Sequence, residues 1–280
     1  MKISSMNTVD IQAKAKQMVA TRSESGIQRA IADSLTIGWR NMIRLSRTPA
    51  AITSALVFPV IFLTCFLFTF QRFMAGTQEI NYVQYLVPII TLQAVFFTAM
   101  GAGVSLAKDI QTGMLQRCRS LPISRIAVFG GLIVAYLLRA VITTIILLLF
   151  AHLYGFRFQT GFLSVIGFIL LTLLFTATSV AGYAALALKI RQLDLVQSLL
   201  VVPYAPLLFL STGFTPAENF PHWLQPIVQH QPVSYTAAAL RAFANSGQSL
   251  FFPLLWALVW LIGLLLILGA IAVQLYQKET

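Results

Sequence analysis

Six apolar runs dominate this chain, and each is long enough to cross a bilayer: Ala50–Phe70, Tyr82–Ala107, Ile126–Phe150, Gly161–Leu188, Leu193–Thr212 and Phe251–Val273. A hydrocarbon core about 30 Å thick requires about 20 apolar residues at helical rise. No water is present there to satisfy backbone amides, so runs of this length are read as helices. The expected fold class is therefore an all-α integral membrane protein with six transmembrane helices. Composition agrees: 58% of residues are hydrophobic and 10% charged, against about 25% charged in soluble domains.

The net charge of +11 would fit a nucleic-acid partner if it formed one basic face, but its distribution argues for no nucleic acid. Lys2, Lys14, Lys16, Arg22, Arg29, Arg40, Arg44 and Arg47 precede the first run. Lys108, Arg117, Arg119 and Arg125 fill the loop after the second, Lys189 and Arg191 follow the fourth, and Lys278 ends the chain. The alternate side carries only Arg72, Arg157 and Arg241. The basic excess marks the cytoplasmic face, which puts both termini in the cytoplasm. The first run begins too late and is too long for a signal-peptide core, so no cleaved leader is expected. Cys65 lies in the first run and Cys118 in a cytoplasmic loop, depths that no disulfide would bridge; both read as structural thiols.

The chain divides into a polar tail (1–26), an amphipathic helix (27–48) and the transmembrane domain (49–280). At 100° per residue, Ile27, Ile31, Leu35, Trp39, Met42, Ile43 and Leu45 share one half of the helix. Arg29, Asp33, Arg40, Arg44 and Arg47 lie opposite. A helix of this kind rests in the membrane interface, and Pro49 ends it before the first span. The loop 108–125 holds a second short helix, expected from about Gly113 to Ser120, with Asp109 and Thr112 as caps and Leu121-Pro122 as its stop. Its apolar Met114, Leu115 and Cys118 beside Arg117, Arg119 and Arg125 suit either a partner protein or a solvated loop near anionic lipid. On the far side, 213–250 combines Pro216, Pro221, Pro226 and Pro232 with Phe214, Phe220, Trp223 and Tyr235. That mixture points to short helices re-entering the outer leaflet.

Absences matter as much. The sequence has no GxxxxGK[ST] phosphate loop, HExxH or GxSxG, so catalysis of bond chemistry is not expected. His152, His222 and His230 are too scattered for a metal site. No acidic residue lies in mid-span, which argues against proton- or sodium-coupled transport. Arg139 is the cation within a span. It either lines a translocation pathway or is satisfied by an interface or by backbone carbonyls. Gln84, Thr91, Gln93, Ser105, Gln197 and Ser198 are milder polar positions, read as interhelical hydrogen bonds or pathway ligands.

Taken together, the basic entry helix, the loop D-x-x-x-G-M-L-Q-R-x-x-x-L-P-I-S-R (Asp109–Arg125) and the outer F-P-x-W-L-x-P-I-V-x-x-x-P-V-S-Y (Phe220–Tyr235) before the last span resemble one family. It is the membrane subunit of type-2 ABC exporters, within them the daunorubicin-resistance-type permeases of drug and lipid efflux. The resemblance covers about residues 27–275. It implies that Asp109, Gly113, Met114, Leu115, Arg117, Leu121 and Pro122 form a coupling helix docked on a separate ATPase dimer. Trp39, Arg40 and Arg44 would belong to the connecting helix. Gln116 stands where the family often has glutamate, so an ion pair there is not implied. ATP and Mg would be bound by the partner, with no cofactor in this chain. Two six-span subunits, identical or paralogous, would form the pathway in the plasma membrane of a prokaryote. Arg139, Gln93 and Gln197 are candidate pathway residues, and Pro221, Trp223, Pro232 and Tyr235 candidate elements of the re-entrant segment. A polysaccharide-exporting permease and a lone secondary carrier are the alternative readings.

Overall fold

The computed structural model describes residue 57 and residues 59–69, 82–113 and 125–277. The tail, the helix 27–48 with Trp39, Arg40 and Arg44, and the loop residues Met114, Leu115, Arg117, Leu121 and Pro122 lie outside the described residues.

Every regular element among the described residues is helical. In chain order these are α1 (Pro59–Thr69), α2 (Tyr82–Gln111), α3 (Arg125–Leu153), α4 (Phe162–Ile190) and α5 (Leu193–Phe209). A 3₁₀ turn (Ala217–Asn219), α6 (Gln225–His230), α7 (Pro232–Ala244) and α8 (Phe251–Gln277) complete it. Four helices, α2, α3, α4 and α8, are long and apolar enough to cross a membrane; α1 and α5 are shorter apolar helices. The chain is thus a multi-helix membrane protein.

The middle of the bundle is formed by α2 and α4. Helix α2 packs most extensively on α4 and also meets α3, α5 and α7, while α8 lies against α4 and α7. Hydrocarbon solvates a leucine as well as a protein core does, so close backbone approach is what holds such helices together, and small residues permit it. Ala94, Ala99 and Ala102 on α2 and Ala181, Ala184 and Ala187 on α4 are all buried. At Gly103 an added Cβ would stand 3.2 Å from the Tyr183 carbonyl oxygen and 3.1 Å from Leu200. Three threonines of α2 and α4 return their hydroxyls to the carbonyl one turn earlier: Thr91 to Val87 at 2.9 Å, Thr172 to Phe168 at 2.8 Å and Thr176 to Thr172 at 2.8 Å. No hydroxyl of this set is left open in a medium without water.

At its lower end α2 continues past the apolar run to Gln111. Asp109, expected as a cap of the following helix, belongs to this last stretch. Thr112 closes α2, its hydroxyl donating to the Lys108 carbonyl at 3.0 Å. Gly113 follows with φ 68°, its amide on Ile110 O at 3.2 Å. This left-handed position after a helix end is one that glycine occupies without a Cβ penalty.

Candidate functional site: the outer fastening and the apolar pocket

The segment after α5 folds back onto the bundle through one arginine. Pro232 opens α7 at a first-turn position where its missing amide has no cost, and about two and a half turns later the helix delivers Arg241. Counted in the sequence among the charges of the alternate side, Arg241 is instead 6% exposed. Its Nε donates to Tyr85 O at 3.1 Å and Nη1 to Thr212 O at 3.0 Å, while Nη2 donates to Gly213 O. The guanidinium carbon stands 3.6 Å from the centroid of the Tyr85 ring. The Tyr85 hydroxyl in turn donates to Thr212 O at 2.7 Å. A buried cation that meets no carboxylate among the described residues is met there by dipoles. The planar fork of arginine reaches three carbonyls and a ring face at once, which a lysine could not.

Ser234 reinforces the joint: it accepts from the Thr212 amide at 3.0 Å and donates to Val228 O. Gly213 is required there by proximity, since a Cβ would lie 2.3 Å from Ile89 Cδ1. Gly167 is required for the same reason on α4, where a Cβ would meet the Phe243 ring at 2.5 Å. The N-terminal end of α2, the turn after α5, and α7 are thereby clasped together.

The four residues expected in this segment separate. Pro232 starts α7, and Tyr235 stacks on Trp256 of α8 with centroids 6.0 Å apart. Trp223 is 74% exposed, and Pro221 is exposed, contributing its carbonyl to the Leu224 amide at 2.8 Å. The exposed indole has the character of an interfacial anchor.

The three candidate pathway residues also fall in different surroundings. Gln93 is fully buried, its Nε2 donating to the Tyr204 hydroxyl at 2.9 Å. Gln197 lies on the exposed face of α5. Arg139 is partly buried against α2, where a Cβ on Gly101 would come 3.4 Å from its Nη1. Tyr136, one turn away, donates to Gly101 O at 2.8 Å, and its ring centroid lies 6.0 Å from the Arg139 guanidinium carbon. Gly101 and Gln93 are separated by about 12 Å of helix, and the three candidates stand on three different helices, α2, α3 and α5.

What the sequence reading missed is an apolar pocket of about 270 Å³. Phe175, Thr178, Gly182 and Tyr183 of α4 form its back, Pro203 and Leu207 of α5 and Leu261, Leu264 and Leu268 of α8 its sides. Phe96 of α2 and Pro232 and Val233 of α7 also line it. Phe96 joins the aromatic packing, edge-to-face with Phe175 at 4.9 Å and with Tyr204 at 5.8 Å. The only sequence signal for this site was the pair of tyrosines, Tyr183 and Tyr204, set inside otherwise apolar runs.

Comparison with known proteins accords with this architecture. Residues 34–244 match the ABC-2 type transporter family. The daunorubicin resistance ABC transporter permease protein DrrB1 of Streptomyces coeruleorubidus is 28% identical over 98% of this chain and 96% of its own length. The doxorubicin resistance permease DrrB of Mycobacterium tuberculosis is 31% identical over 75% of this chain and 77% of its own. A putative transport permease, ycf38 of Cyanophora paradoxa, is 26% identical over 76% and 74%. On the family match across most of its length and the end-to-end similarity to a resistance permease, the chain belongs to the ABC-2 type transporter family, as a permease of the daunorubicin-resistance type.

Proposed function

We propose that this chain is the transmembrane subunit of an ATP-driven ABC exporter that moves a lipophilic substrate, a drug, polyketide or lipid, out of the cytoplasm or the inner leaflet. The observation that carries this reading is the similarity to a daunorubicin resistance permease over 98% of the chain. In this reading ATP and Mg belong to a separate ATPase dimer, and this chain converts motion without bond chemistry. A second permease copy or a paralogue completes the pathway. Both termini face the cytoplasm of a prokaryotic cell, α1 and α5 complete six spans, and 213–250 re-enters the outer leaflet.

The energetic logic is differential affinity. An ATPase dimer that closes on ATP favours one arrangement of the loops it holds, and it shifts the permease only by that preference. The left-handed turn at Gly113 supports the reading locally, because it ends α2 immediately before the residues assigned to coupling. Displacement of that segment would then be transmitted to α2, the most deeply buried of the four long helices. Leu115→Asp is expected to abolish transport while the protein still inserts.

The test is co-purification with the candidate ATPase, followed by hydrolysis measured in liposomes with and without this chain. A stable complex whose hydrolysis responds to lipophilic compounds is the expected result. Failure to associate with any ATPase would overturn the exporter reading.

A further inference from the structure

Arg157 is an exposed cation in the turn between α3 and α4, and that turn holds it in a fixed attitude. The chain leaves α3 through a left-handed Gly155 at φ 96°. Phe156 N reaches Ala151 O at 3.0 Å and Gly155 N reaches His152 O at 3.2 Å, the paired bonds of a glycine-terminated helix. Arg157 then reaches back over the same end: its Nη1 donates to His152 O at 2.6 Å and to Phe156 O at 2.9 Å. A cation suits the carbonyl end of a helix, so one edge of the guanidinium serves the fold. Among the described residues, Nε and Nη2 donate to no group and no carboxylate pairs with the charge. The second edge of the fork is open.

The backbone of the turn is equally constrained. Gln84 of α2, itself buried, donates from Nε2 to Arg157 O at 2.7 Å. Phe156 is buried, and Gln159 N donates to Ala244 O at 2.9 Å. An arginine tied down in this way loses less rotamer freedom on binding than a free one.

The surroundings narrow the partner. Helices α3 and α4 are both long and apolar enough to span a membrane, so the turn that joins them lies at a membrane surface, where lipid phosphates are. On either side of the turn Leu153 is 79%, Phe162 80% and Leu163 81% exposed. An open guanidinium edge matches two oxygens of one phosphate, and the exposed side chains beside it match acyl chains. A soluble anion would use the first feature and leave the second to water.

We propose that Arg157 and the apolar ends of α3 and α4 bind one phospholipid. Its phosphate diester accepts from Nε and Nη2, and its acyl chains lie along Leu153, Phe162 and Leu163. The lipid is a structural ligand of the α3–α4 turn, and the site does not rest on the exporter reading.

The test compares two lipids that differ in the phosphate. Tritiated dioleoylphosphatidylglycerol and tritiated dioleoylglycerol are each titrated into the full chain in detergent micelles, and protein-free micelles are subtracted. The wild type should hold phosphatidylglycerol about tenfold more tightly than dioleoylglycerol, a comparison that needs no variant. Arg157→Gln should lose one tightly held phosphatidylglycerol per chain and retain dioleoylglycerol unchanged. Arg157→Lys, which keeps the charge without the fork, should recover only part of the affinity. Equal retention of the two lipids by the wild type overturns the proposal, as does an Arg157→Gln chain that holds its full complement of phosphatidylglycerol. Labelled inorganic phosphate bound as tightly as the phospholipid also overturns it, because the site would then be one for a free anion. No ATPase is present in this assay, so its failure and failure of the exporter reading are separate results.

Discussion

Helices α2 and α8 are both long enough to span a membrane, and they lie in opposite environments. In its most apolar stretch α2 has a mean hydropathy of 1.7 and is 78% buried in protein; α8 reaches 2.7 and is 11% buried. In a water-soluble protein the more apolar helix would be the inner one. Here the relation inverts, because lipid accepts leucine and isoleucine freely but leaves an amide or hydroxyl unsatisfied. The polar side chains Gln84, Thr91, Gln93 and Thr98 of α2 accordingly all point into protein. The contrast teaches that in α2 polarity within the span, more than apolarity, indicates the protein-facing side.

Substitutions can break this comparison, and the largest effect is expected where the inner helix is clasped. Arg241→Met removes the donors that serve Tyr85 O, Thr212 O and Gly213 O, and leaving these carbonyls short should cost about 3 kcal/mol. The predicted readout is a lower thermal midpoint in detergent together with new protease cleavage between residues 213 and 231. Arg241→Lys should recover only part of the loss, because an ammonium lacks the fork.

Next in size is Leu92→Ala on α2, at a fully buried position. Its cost should be about 2 kcal/mol, at the low end for such cavities, because the transfer contribution largely vanishes when the unfolded helix is already in lipid. Chemical unfolding in micelles would measure it. Gly113→Ala is expected to cost about 1 kcal/mol through its positive φ. If the loop couples to an ATPase as proposed, transport should fall further than this loss of stability explains, which a parallel assay of abundance and efflux would reveal.

The smallest effect belongs to the outer helix. Leu266→Ala on α8, at 68% exposure, should change stability by less than about 0.5 kcal/mol, since lipid fills the space. An effect as large as that of Leu92→Ala would mean that this face of α8 is covered by another protein surface in the membrane, and would sharpen the comparison into a map of subunit contacts.

Legibility from sequence followed the same division. The apolar runs announced the long helices nearly to their ends, because each backbone group in lipid must be satisfied within its own segment. Gln111 lies beyond the expected end of the second run because Lys108, Asp109 and Thr112 continue the helix into the polar zone, where propensity and a side-chain bond to Lys108 O decide. The role of Arg241 was not legible. Its partners, Tyr85 and residues 212–213, are distant in the chain and offer carbonyls, which every residue possesses. Nor was the pocket, whose walls come from five helices.

The sequence by itself determined that this is a helical membrane protein, which of its segments are long and apolar, and, through the residues 109–125 and 220–235, the family it resembles. These properties are local: they depend on run length, charge placement and short motifs. Only the tertiary structure decided which helix lies inside, that Arg241 is a buried clasp and not a surface charge, and that Tyr183 borders a space. Those depend on which distant groups meet at close range, and one lipid-soluble helix face reads like another until its neighbours are known.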